Sequence, residues 1–417
     1  MERRVVITGM GVITPVGNNL TDFWNSLVEG KCGIDLIKGF DEYDLPISVA
    51  GQIKDFNPEE CGLDRNDVRR NDPYCQFALA AANEAMKDSG LISGEHIAPE
   101  RLGVYIGAGI GGLQTFFNES EKLIKEGVRR ISPLFVPMMI GNIAAGNVAI
   151  KYNAQGVCLP VVTACATGTH AIGEAFRAIK HGYADAIIAG GAEATVHPLA
   201  IGGFANSKAL SRSTDPLKAS IPFNINRNGF VMGEGAGVMV LETLESAQKR
   251  GAKIYAEVVG YGNSCDAHHV TAPNPDGIPA SRAIKQSLDE AGFDAEKDVL
   301  YINAHGTSTP LNDKTETAAI KLAMGEEAAR KAMISSTKSM TGHMLGATGA
   351  VELIASALTL KTGIVTPTIG LDEPDPECDL DYTPNVARKA DVTIAISNSL
   401  GFGGHNGCVA LRKWNNE

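Results

Sequence analysis

Along the chain, short apolar runs rich in β-branched residues alternate with stretches in which apolar residues recur every three to four positions. The runs at 5–8, 104–106, 186–189, 237–241, 255–259, 299–302 and 392–396 have the length and composition of strands. Helical spacing is clear in Ile172, Ala175, Phe176 and Ile179, and again in Val351, Ile354, Ala355 and Leu358. Strands alternating with helices predict an α/β architecture with largely parallel sheets. Many of the 46 glycines directly follow the apolar runs, which suits strands feeding tight turns more than flexible linkers.

The two halves of the chain rhyme. Ile7-Thr8-Gly9-Met10-Gly11 is echoed by Val258-Val259-Gly260-Tyr261-Gly262, and Tyr105-Ile106-Gly107 by Tyr301-Ile302-Asn303-Ala304-His305-Gly306. The segment around Cys165 with its following helix is matched by the segment around His343 with its own. Ile187-Ile188-Ala189-Gly190-Gly191 is matched by Ile396-Ser397 leading into Gly401-Phe402-Gly403-Gly404. Four correspondences in one order predict a duplicated α/β unit, with halves 1–250 and 251–417 meeting near Arg250-Gly251. The longer first half then carries insertions near the site, roughly 113–150 and 198–227.

Composition narrows the class. A chain of 417 residues, 44% of them hydrophobic, can bury a large core. A net charge of -11 argues against a general nucleic-acid binder, which needs a basic face. Eight cysteines without a CxxC pair suggest reduced thiols in a cytoplasmic protein. The basic start followed by Val5-Val6-Ile7 is cut short by Gly9, Gly11, Thr14 and Pro15, too early for a signal peptide. No run of about 18 apolar residues predicts a membrane span.

The chemistry centres on Thr163-Ala164-Cys165-Ala166-Thr167-Gly168-Thr169-His170. An apolar strand ends, a cysteine follows and a small-residue helix begins. A thiol there meets unsatisfied N–H groups and the positive end of the helix dipole, which favour thiolate. The ordinary fate of an intracellular cysteine is burial as a small apolar residue, and the setting alone leaves both readings open. Candidate partners come from Asn303-Ala304-His305-Gly306-Thr307-Ser308-Thr309-Pro310, from Lys338-Ser339-Met340-Thr341-Gly342-His343, and from the turn Gly401-Phe402-Gly403-Gly404-His405. Strand ends in α/β sheets are where ligands bind, so these segments are expected to converge.

Two other chemistries fit the sequence less well. Gly107-Ala108-Gly109-Ile110-Gly111-Gly112 fits GxGxxG after a strand, but 116–130 reads as charged and irregular where a dinucleotide site needs a packed helix. A zinc enzyme using His305, His343 and His405 lacks HExxH or a compact Cys/His cluster. No cofactor or metal is therefore expected.

These motifs, in this order and over essentially the whole chain, resemble the condensing enzymes of fatty-acid synthesis, most closely the β-ketoacyl-[acyl carrier protein] synthase II type within the thiolase-like superfamily. The resemblance implies a thiolase-like fold, two duplicated βαβ-type halves in an αβαβα layering, and a homodimer. It implies decarboxylative condensation of an enzyme-bound acyl group with malonyl-[acyl carrier protein]. Cys165 would be the acyl-accepting nucleophile and His305 and His343 the pair handling the malonyl thioester. Lys338 would support the site electrostatically beside Glu316, and Phe402 would be a mobile gate. The N–H groups of Cys165 and Phe402 would form the oxyanion hole. Thr307 and Thr309 would contact the pantetheine arm, and Ile110 and Phe204 would line the acyl pocket. Ala108 departs from the family's frequent serine, which touches pocket detail only. The family's carrier protein is acidic, which makes Arg65, Arg69 and Arg129 candidates for docking it. The same resemblance extends to polyketide ketosynthases and to non-catalytic partner subunits; the presence of Cys165 counts against the latter.

Overall fold

The structure is a computed structural model and describes residues 3–415. Nine strands form one continuous sheet: β1 (Val5–Ile13), β2 (Leu102–Gly107), β3 (Ala186–Glu193), β4 (Gly235–Thr243), β5 (Ala256–Cys265), β6 (Leu300–Asn303), β7 (Met333–Ser335), β8 (Ile394–Gly401) and β9 (His405–Lys413). Their order across the sheet is β2-β3-β4-β1-β5-β9-β8-β6-β7. Outward from the β1–β5 seam, β4, β3 and β2 on one side match β9, β8 and β6 on the other. The pairing sense agrees at every step: antiparallel, antiparallel, then parallel. The duplication expected from the sequence is thus written into the sheet.

Five helices place the layers: α1 (Pro73–Ser89), α2 (Thr167–Lys180), α3 (Ile278–Ala291), α4 (Pro310–Met324) and α5 (Thr348–Thr362). α1 covers β1, β3 and β4, while α3, backed by α4, covers β5 and β9. Between the two half-sheets lie α2, which touches β3 and β9, and α5, which touches β4 and β8. The glycines of the first rhyming pair explain how closely the outer layers sit. A Cβ on Gly9 or Gly11 would collide with the backbone oxygens of Ala85 and Ala81 in α1. Gly260 and Gly262 stand in the same relation to Ser287 and Ala283 in α3. Each glycine pair admits a helix backbone onto its strand.

Two expectations are corrected. The sheet is mixed rather than largely parallel, because β4 and β9 return beside β3 and β8, the latter through a tight hairpin. Residues 116–130, read as irregular, fall in a helix, Leu113–Glu126, and a 3-10 turn, Val128–Arg130. The apolar Phe116, Leu123 and Ile124 of the helix are exposed, so no core-facing stripe marks it in the sequence. Among the described residues, no helix is long and apolar enough to cross a membrane.

Candidate active site

Both central helices begin at the site. Cys165 lies in a 3-10 turn, Ala164–Ala166, that runs directly into α2. Ala164 has φ of 50°, the left-handed region that residues with a Cβ rarely occupy, and marks a sharp turn into the helix. The corresponding turn before α5 holds Leu345 with φ of 45°. His343 precedes that turn, His305 follows β6, and Phe402 sits in the hairpin between β8 and β9. Cys165 is half-buried in a cleft of about 400 Å³ whose walls include His305, His343, Phe402, Phe204, Thr307 and Thr309.

The histidines form a face-to-edge pair, ring centroids 5.4 Å apart at 87°. His305 is 3% exposed and His343 2%. Burial, then the charge of Lys338, holds both well below the usual imidazole value, so both rings are neutral. The Nδ1 of His343 lies 3.0 Å from the Thr348 hydroxyl, while its buried Nε2 has no protein partner. The main chain at His305 is fixed from below: Glu316 accepts the N–H of His305 at 2.7 Å and that of Gly306 at 2.8 Å.

Lys338 is paired with Glu352 of α5, Nζ to Oε1 2.5 Å, and not with Glu316. The resemblance implied Lys338 beside Glu316; the carboxylate of Glu316 accepts the backbone N–H groups after β6 and feels the charge of Lys338 without pairing with it. Burial pushes Glu352 up to about 7 against the opposing charge of Lys338. The thiol expectation is corrected as well. Burial raises Cys165 to about 11, and Lys338 with the N–H groups of Phe402 and Cys165 only partly offsets this. The resting sulfur is a thiol, with two backbone donors already aimed at it. A Cβ on Gly401 would meet Thr163 O at 2.8 Å and Cys165 N at 3.3 Å, so glycine permits this approach of the hairpin.

The Phe402 ring packs on Phe204, centroids 6.1 Å apart, and Phe204 on Phe230 at 5.4 Å. Phe230, not singled out in the sequence, lies edge-on to His343 at 5.4 Å. Thr307 and Thr309 bring their hydroxyls to within 2.9 Å of each other. Ile110 is not brought to the cleft and its side chain is 45% exposed. Its N–H, with those of Gly109 and Gly111, binds the buried carboxylate of Glu193. That internal carboxylate fills the cradle a dinucleotide phosphate would need, which accounts for the glycine motif. Arg65 and Arg69, on the helix Arg65–Arg70, and Arg129 are exposed and do not line the cleft. Cys408 is a core residue of β9. Among the described residues, no three His, Cys, Asp or Glu side chains group as a metal site.

The family model for the β-ketoacyl synthase N-terminal domain matches residues 2–247, and that for the C-terminal domain residues 255–372. The 3-oxoacyl-[acyl-carrier-protein] synthase 2 of Staphylococcus aureus strain COL is 52% identical over 413 residues, 99% of each chain. The protein of that name from Synechocystis is 51% identical over 414 residues, again 99% of each. Among solved structures, a type II PKS ketosynthase in complex with its acyl-carrier protein, AntDE:AntF, superposes with a TM-score of 0.92 at 36% identity, covering all of both chains. A β-ketoacyl synthase from Burkholderia phymatum STM815 gives 0.90 at 32% identity, covering 99% of this chain and 100% of that one. The chain belongs to the β-ketoacyl synthase family.

Proposed function

We propose that the protein catalyses decarboxylative Claisen condensation of an acyl group carried on Cys165 with malonyl-[acyl carrier protein], the elongation step of fatty-acid synthesis. One observation carries the reading: a thiol and two neutral buried histidines face one cleft, with the Lys338–Glu352 pair behind them. In the first half-reaction the sulfur attacks the thioester carbonyl of an acyl-carrier protein. The N–H groups of Cys165 and Phe402 bind the tetrahedral oxyanion, and the carrier thiol leaves with the proton. In the second, the malonyl carbon–carboxylate bond breaks and CO2 departs. The electron pair becomes an enolate, whose oxygen accepts hydrogen bonds from His305 and His343. In the tautomer that carries the ring proton on Nε2, Nδ1 of His343 accepts from the Thr348 hydroxyl and the Nε2–H is available to that oxygen. The carbanion attacks the acyl-Cys165 carbonyl, a carbon–carbon bond forms and the thiolate is released.

The reading extends to partners. Arg65, Arg69 and Arg129 form no salt bridge among the described residues and offer positive charge to an acidic carrier on a protein of net charge -11. The segment carrying Leu159 and Val162 runs beside β2 and exposes both side chains, 49% and 58%. An apolar edge of this kind suits pairing with a second copy, which supports a homodimer. Sedimentation at micromolar concentration checks the dimer; a monomer contradicts it.

The direct assay supplies acyl-carrier proteins of graded length with malonyl-carrier protein. Release of CO2 matched by β-ketoacyl product supports the reading, and absence of product from every primer overturns it. A polyketide ketosynthase is the second reading, favoured by the fit to AntDE:AntF. Repeated extension without intervening reduction would select it.

A further inference from the structure

The geometry points to Arg227 as a positioning residue for the pantetheine wall of the cleft, a role that rests on the reading above. Arg227 does not line the cleft; its neighbours Asn228 and Gly229 do. Its guanidinium is 2% exposed and lies between two buried carboxylates, Nη1 2.7 Å from Asp375 Oδ2 and Nε 3.4 Å from Asp313 Oδ2. The N–H groups also reach main-chain carbonyls: Nη1 that of Asn224 at 2.8 Å, Nη2 that of Pro310 at 3.1 Å, and the single Nε–H that of Thr309 at 3.3 Å, beside its ion pair with Asp313. Three distant stretches of chain therefore meet on one planar cation. A lysine ammonium cannot reproduce that set of directions.

The consequence lies at Thr309. It is the N-cap residue of α4, a position where a threonine hydroxyl commonly accepts a bond from the first turn of the helix. Here it makes no such bond. The hydroxyl faces Thr307 across 2.9 Å on the cleft wall, while Arg227 grips the carbonyls of Thr309 and Pro310 from behind. Arg227 thus fixes the carbonyl side of the helix start, and the paired hydroxyls keep one O–H and their remaining lone pairs for an amide-bearing arm. Asp313 completes the support by accepting the N–H of Phe223 at 2.9 Å, where φ is 65°.

The test compares malonyl-pantetheine with malonyl-N-acetylcysteamine, which carries only the end of the arm, by CO2 release from wild type, Arg227→Lys and Asp375→Asn. Melting temperature and the Cys165 alkylation rate are recorded alongside. Arg227→Lys should raise KM for malonyl-pantetheine about tenfold with kcat within about twofold. The short thioester and the alkylation rate should barely change. Asp375→Asn keeps the fork and loosens its anchor, so the same KM should rise less; it carries the test if Arg227→Lys does not fold. Unchanged KM in a folded variant, or equal losses with both thioesters, overturns the assignment. Failure of the wild type to decarboxylate either substrate would instead defeat the functional reading.

Discussion

Lys338 Nζ and Glu352 Oε1 meet at 2.5 Å with both side chains 1% exposed, a complete ion pair inside the protein. The pair sits behind the cleft, and its positive end depresses both histidines and lowers the Cys165 thiol against burial. A single buried cation thus acts on all three groups of the proposed site. Glu352 is what allows that cation to stay buried.

Removing one member of such a pair leaves the other charged and unsolvated. Glu352→Ala should cost about 3–5 kcal/mol of unfolding free energy. Lys338→Met combined with Glu352→Leu should be less destabilised than either single change. Denaturant unfolding of wild type, Lys338→Met, Glu352→Leu and the double variant checks this, and additive losses contradict it.

Neither histidine should titrate near 6.5 in the folded protein, so CO2 release should show no inflection there as pH falls from about 8 to about 6. The sign for stability follows from linkage. Below 6.5 the unfolded chain binds protons that the folded imidazoles refuse, so stability drops as pH falls. Buried Glu352 and Glu193, raised to about 7, act in the opposite sense. Subtracting the unfolding profile of His343→Gln from that of wild type isolates one imidazole. The difference should shrink as pH drops below 6.5.

A thiol at about 11 is alkylated through a small thiolate fraction. Iodoacetamide labelling of Cys165, followed by peptide mass spectrometry, should therefore accelerate about tenfold per pH unit from about pH 7 to about pH 9. Lys338→Met, which removes the nearest opposing charge, should slow it at every pH in that range. A plateau by about pH 8 contradicts the account.

Replacing Arg65, Arg69 and Arg129 with Glu should slow reaction with carrier-bound substrates. The loss should be strongest at low salt, where screening extends only beyond about 30 Å at 0.01 M. Short synthetic thioesters should be spared. Equal loss with both substrate types would make these arginines structural.

Much of the site is legible in the sequence because its groups sit at element ends. Cys165, His305 and His343 each adjoin a strand end or helix start, and small residues beside them mark the turn. The rhymes between halves likewise survive as strands at equivalent places in the sheet. What was missed depends on contacts distant in sequence. Glu352 reads locally as one charge in a helix, yet it interrupts the apolar run Val351-Glu352-Leu353-Ile354-Ala355, and a buried acid must have a partner. That signal indicates burial but not Lys338. The exposure of Ile110 and the raised thiol of Cys165 were not legible for a related reason: exposure and desolvation are set by packing, and no single segment displays them.

The central claim is that decarboxylation depends on the two histidines, whereas condensation also needs acyl transfer to Cys165. Labelled CO2 release and acyl-enzyme mass, recorded together for folded variants, separate the two. Cys165→Ala should lose β-ketoacyl product yet retain measurable CO2 release from malonyl-carrier protein. His305→Ala and His343→Ala should still accept the acyl group while decarboxylation falls by ~10²–10³, the usual cost of losing one donor to a developing oxyanion. A well-folded Cys165→Ala protein that made β-ketoacyl product at the wild-type rate would contradict the account.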